Sequence, residues 1–113
     1  MLGSKCLSET ILITGATDSN GTREVFIDSQ VLNFRDSFHY KQLDANSFSW
    51  GNFDQGTYQL AFAILLEIGG LRAARNHYND FTKEFLVHED ADSAFSIQLN
   101  IHNWIVSKNK TLV

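Results

Sequence analysis

Four histidines, a short acidic run and one glycine-bracketed turn are the parts of this chain whose residue types could do chemistry. His39, His77, His88 and His102 are scattered, with no H-x-x-x-H or H-E-x-x-H pair to put two imidazoles on one helix face. His77 and Asp80 are three apart, close enough to be neighbours on a helix, and His88-Glu89-Asp90 cluster in a loop. Neither set brings a third or fourth ligand at zinc spacing, so the expectation is solvated surface, no metal and no cofactor. The pairs Glu89/Asp90 and Asp90/Asp92 are loop neighbours, a pattern that solubilises rather than shuttles protons. No nucleophile elbow G-x-S-x-G is present. Cys6, the single cysteine, lies in an expected loose arm over residues 1–9, where nothing positions a thiolate. No catalytic residue is assigned.

The segment Ile11 to Gly21, ILITGATDSNG, looks like the first strand and phosphate turn of a short-chain dehydrogenase, whose fingerprint is T-G-x-x-x-G-x-G. Glycines there let backbone N–H groups approach a pyrophosphate at a helix N-terminus. Thr14-Gly15 and Gly21 match, but Ser19 and Asn20 stand where glycine belongs. Thr22 to Ile27 is β-branched and aromatic, unlike a crossover helix. The roughly 90 residues that remain are too few for a doubly wound sheet. A hairpin turn is the stronger reading of Gly15 to Gly21, with Asn20-Gly21 at its φ > 0 positions.

Ser47 to Gly70, SFSWGNFDQGTYQLAFAILLEIGG, carries more. Gly51 and Gly56 bracket a polar loop that leads into an apolar helix. In a structural reading Trp50 plugs the core, Asp54 or Thr57 caps the helix, and Gln59 satisfies loop backbone groups. In a binding reading Trp50, Asn52 and Gln59 line a ligand site at the helix N-terminus, where free N–H groups favour an anion. Asp54 and the chain's acidity weigh toward the structural reading.

The elements that must position these groups follow from hydropathy patterning. The 113 residues, 43% hydrophobic and 12% aromatic, make one domain with a core of its own and no need of staples. Thr10 to Thr14 and Arg23 to Asp28 read as strands, the second with Val25 and Ile27 on one face and Glu24, Phe26 and Asp28 on the other. Val31, Leu32 and Phe34 suggest a third. Thr57 to Ile68 has no polar face over Leu60 to Leu66, so it is expected to be a central helix buried all round. Gly69 is the expected αL terminator and Gly70 a sharp reversal. Leu71, Ala74, Tyr78, Phe81 and Phe85 then make the stripe of a second helix over Leu71 to Leu86, antiparallel to the first or strongly bent from it. Residues 95–101 alternate like a strand, while Ile97, Ile101, Trp104 and Ile105 fit a helix; the favoured reading is a short extended start turning into a helix that ends near Lys108. The predicted fold class is α+β, a small antiparallel sheet of two or three strands packed on about three helices.

The Trp-Gly and Gln-Leu-Ala pattern resembles domain of unknown function 6166, a family whose hallmark is W-G-Y-G-G-S-G-P-x-Q-L-A running into an apolar helix. Trp50-Gly51 and Gln59-Leu60-Ala61 hold the same spacing, and Ala74, Tyr78, Phe81 and Lys83 resemble its downstream helix. Phe95, Ile97, Ile101, Trp104 and Ile105 echo its closing segment, so the resemblance covers about Thr22 to Val106. The family's glycine-rich loop is replaced here by Asn52-Phe53-Asp54-Gln55-Gly56-Thr57. The resemblance implies a small intracellular protein of phage or mobile-element background and points to no particular activity.

A net charge of −4 argues against a generic phosphate-backbone binder and suits a basic partner surface. The leading expectation is a non-enzymatic interaction protein that binds a host protein or complex and inhibits a defence system, through Asp54, Glu89, Asp90 and Asp92. A ligand-binding protein or small enzyme at Trp50, Asn52 and Gln59 is the alternative. A nucleic-acid module on Arg72, Arg75, Lys83, Lys108 and Lys110 is the third reading. One cysteine, and no apolar run near the ~20 residues of a membrane span, point to the cytoplasm. Phe26, Phe38, Phe48 and Phe53 exceed what one small core holds, which raises a homodimer.

Overall fold

A computed structural model describes residues 10–17, 23–32, 37, 40, 49–52, 54–89 and 93–111. The expected N-terminal arm, the Asn20-Gly21 turn, Phe34, Phe38, Phe48, Phe53, Asp90 and Asp92 lie outside them. Strands β1 (Thr10–Thr17), β2 (Arg23–Ile27) and β3 (Gln30–Val31) come first, then helix α1 (Gln55–Glu84) and a short 3-10 turn (Leu86–His88). Strand β4 (Phe95–Asn100) runs without a loop into helix α2 (Ile101–Thr111). The architecture is α+β, as the hydropathy pattern suggests.

The sheet has four strands in the order β3-β2-β1-β4, every neighbouring pair antiparallel. Ile13 pairs with Ile27 on one side and Ile97 on the other, and Ile11 faces Leu99. Period-2 alternation therefore sends Ile11, Ile13, Val25, Ile27, Phe95, Ile97 and Leu99 to one buried face. The expected split of β2, Val25 and Ile27 inward against Glu24 and Phe26 outward, is what the strand shows. Two corrections follow. The sheet is larger than two or three strands because residues 95–100 pair with β1 along their whole length. Gly15 to Thr17 belong to β1 rather than to a turn, opposite Val25, Glu24 and Arg23.

The β2–β3 connection is a two-residue turn, Asp28-Ser29, with φ of 50° and 72°. Positive φ at both positions is the mirror-image turn whose twist matches paired strands. Asp28 anchors it: its N–H donates to Leu12 O at 2.8 Å and its Oδ1 accepts from Leu12 N at 2.9 Å.

Helix α1 counts as one element but breaks at Gly70, where φ is 90° and ψ is 175°. The expectation of about three helices thus becomes two, α1 and α2, among the described residues. The break reverses the chain. Phe62 and Tyr78 would stand about 24 Å apart on a straight helix, yet their rings meet edge-on with centroids 5.8 Å apart. Tyr58 also reaches Tyr78, at 6.3 Å. The two arms of α1 therefore form the antiparallel pair that the spacing suggests, with Gly70 rather than Gly69 as its positive-φ residue. That combination of φ and ψ is open almost only to glycine.

The first arm is the centre of the core. Leu60, Phe62, Ile64 and Leu65 are fully buried, each contributing about 1.5–3 kcal/mol of transfer free energy. On the second arm Ala74 and Phe81 are buried, while Leu71, Tyr78 and Phe85 are half-buried against the core. Arg72, Arg75, Asn79 and Lys83 are exposed, as the stripe requires.

Candidate functional site

The loop before α1 is built around a fully buried indole. Trp50 stands edge-on to Phe95, ring centroids 4.8 Å apart and planes at 75°. Its Nε1–H donates to Ser93 O at 3.0 Å, and the Arg23 guanidinium lies 5.1 Å from its ring centroid. Gly51, at φ 79°, donates its N–H to Leu86 O at 2.8 Å. These two bonds stitch Trp50 and Gly51, before α1, to Ser93 and Leu86, after it. An indole and a glycine N–H thereby hold two loops side by side although more than thirty positions of sequence separate them.

Asn52 organises the start of α1. Its Oδ1 accepts from Asp54 N at 3.0 Å and from the Thr57 hydroxyl at 2.5 Å, and its Nδ2 donates to Trp50 O at 3.4 Å. Thr57 is buried and also meets the Ser49 hydroxyl at 3.0 Å. Asp54 occupies the N-cap in extended conformation, and its carbonyl accepts from Thr57 N at 3.0 Å. Its side chain makes no capping bond. Of the two residues expected to cap α1, Asp54 holds the position, while the side-chain work falls to Asn52. Its amide oxygen does for the last loop N–H what an N-cap oxygen does one turn later.

Gln59 is fully buried in the first arm, with Nε2–H donating to the Ser37 hydroxyl at 2.7 Å. The bond reaches a side chain 22 positions upstream, not only local backbone. Asn52 is thus joined to Trp50, whereas Gln59 bonds to Ser37, and the partners of all three are those of packing and capping groups.

Asp54 is exposed and Glu89 half-buried, on the two stitched loops. The antiparallel β1–β2 hairpin has no place for the crossover helix that a dinucleotide turn needs. Among the described residues no three His, Cys, Asp or Glu side chains gather as a metal site. His77, expected on solvated surface, is 1% exposed and edge-on to Trp104 at 5.8 Å. Its spacing, three after Ala74 and four before Phe81, sets it on the flank of the apolar stripe and is the signal that separates it from exposed Asn76. Of the basic set, Arg72, Arg75 and Lys83 are exposed. Lys108 is ion-paired with Glu84 and lies 5.6 Å from the Trp104 ring centroid. The Lys110 side chain is outside the described atoms. No described helix is long and apolar enough to cross a membrane.

Together these features define an α+β fold in which one tryptophan ties the loop before the helical hairpin to the sheet and to the chain that follows it. The chain belongs to a family of unknown function, DUF6166, whose model matches residues 13–107. No curated protein and no solved structure matches it.

Proposed function

We propose that this is a small non-enzymatic interaction protein of phage or mobile-element origin. It binds a host protein or complex in the host cytoplasm, and inhibition of a defence system is the outcome of that binding. The observation that carries the reading is the stitch between loops. Trp50 Nε1 on Ser93 O and Gly51 N on Leu86 O hold the Asp54 loop against the segment that bears Glu89, Asp90 and Asp92. Asp54 and Glu89 then stand on stretches of chain that these bonds tie together, Asp90 and Asp92 follow Glu89 in sequence, and carboxylates so grouped suit a basic partner surface. Trp50 and Gln59 are already committed to the core, which favours this surface over a pocket at the loop.

The test is capture of host partners on the tagged protein, followed by titration of the purified partner. Lysine at positions 54, 89, 90 and 92 together is expected to lower affinity by an order of magnitude or more and to reduce its salt dependence. Trp50→Ala serves as the misfolding control. Unchanged affinity in the charge-reversed set, with the fold verified by circular dichroism, removes this surface from the proposal.

A further inference from the structure

A cleft of about 210 Å³ lies where the second arm of α1 meets the first turn of α2. Ile101 and Ile105 belong to its apolar wall, and its polar groups are Arg72, Asn76, His77 and His102. All four can donate hydrogen bonds, and no carboxylate is among the lining residues. Arg72, Asn76 and His102 are exposed at the rim; His77 is the buried member, held by the edge of Trp104.

His77 makes the cleft more than a surface dent. Its Nδ1 is sealed in the protein and takes no hydrogen bond. A buried N–H without an acceptor is the costlier way to leave a nitrogen unpaired. Of the two neutral tautomers, the one with its proton on Nε2 is therefore preferred, so that a residue lining the cleft carries a ring N–H. An imidazole N–H, a guanidinium at the rim and the positive end of α2 all favour the same kind of guest.

We infer that this cleft binds a small oxyanion, a phosphate or a carboxylate, between Arg72, His77 and His102. Its volume falls below the roughly 300–1,000 Å³ of drug-sized sites, so the guest is an ion or a short acid rather than a nucleotide. The chain's overall acidity does not oppose this, because Asp54 and Glu89, and Asp80 and Glu84 of the same helix arm, are not among the residues that line the cleft.

The experiment titrates sodium phosphate, and separately sodium succinate, into the isotope-labelled full chain, with sodium chloride at matched ionic strength as reference. NMR follows the ring nitrogens of His77 and His102 and the amides of Gly69, Ala73 and Ile101. One saturating curve shared by these signals is expected with phosphate or succinate and not with chloride; whichever acid saturates first names the source. Arg72→Ala and His102→Ala, both at exposed positions that leave the core intact, are each expected to weaken binding by about tenfold or more. Arg75→Ala, also exposed but outside the cleft, is expected to leave it unchanged. Shifts that grow linearly with salt overturn the site, and so do shifts that survive both cleft variants or fall equally with Arg75→Ala.

Discussion

Gly15→Ala tests whether this sheet is built around one ring. A Cβ placed on Gly15 would lie 2.2 Å from Phe95 Cε2, 2.6 Å from Cδ2 and 2.9 Å from Cζ. Comfortable carbon contact is about 3.5–4.0 Å, so the ring has to move by more than 1 ångström. It has nowhere to go: Phe95 is 5% exposed and its ring already meets the buried Trp50. Overpacking of this kind costs about 1–3 kcal/mol. Against it stands the usual gain of Gly→Ala, about 0.4–1 kcal/mol from a less disordered unfolded chain. The net expectation is a loss of about 0–2.6 kcal/mol, toward the upper end here because the enclosed ring has no room to move, or up to roughly 10 °C in Tm for a domain of this size. Urea and thermal denaturation by circular dichroism would measure it in the parent and in a Phe95→Leu background, which removes Cε2 and Cζ. There the penalty should vanish or change sign. An equal loss in both backgrounds, or no loss in the parent, refutes the clash as the reason for the glycine.

Two further outcomes follow from local geometry. Gly70→Ala introduces no clash, since nothing lies within 4 Å of its Cβ, but it forces a side chain onto φ 90°. It should cost about 1–3 kcal/mol of backbone strain, measured as a shift in the urea midpoint with unchanged slope. At the start of α1, Asn52→Ala should cost about 0.5–2 kcal/mol, in the manner of a lost cap, whereas Asp54→Ala should cost less because its carboxylate makes no capping bond. Parallel urea titrations of the two variants check the order, and the reverse order contradicts the assignment.

Much of the frame was legible. TILIT and REVFI are short runs of β-branched and aromatic residues, Leu60 to Leu66 has no polar face, and Gly69-Gly70 stops one helix before the stripe of the next begins. What was not legible depends on partners far along the chain. Gly15 sits in a polar-looking stretch, and only the Phe95 ring, eighty positions later, explains why no side chain fits. Residues 95–101 satisfy both periods, and the open edge of β1 decides for the strand. Asp28-Ser29 lacks the glycine that usually marks a mirror-image turn; the Asp28 bonds to Leu12 hold it instead. At the candidate site, Trp50, Asn52 and Gln59 stood out by residue type, but the bonds they make were not visible. An aspartate at the N-cap looks like the capping side chain, while the amide two positions earlier does the bonding. The His77 cleft left no local mark, since Arg72, His77 and His102 converge only when α2 packs against the second arm of α1.

The strand order has a consequence for how the chain is made. β2 emerges from the ribosome soon after β1 and closes one of its edges, but the other edge belongs to β4. The roughly 70 residues between them take about 4–14 s to synthesise at 5–20 residues per second. For that interval the strand carrying Ile11 and Ile13 presents an open row of N–H and C=O groups, and the apolar run Leu60–Leu66 of α1 emerges before its sheet is finished. Gene order, rather than final stability, sets the period in which a nascent copy can mispair with its neighbour on the same message.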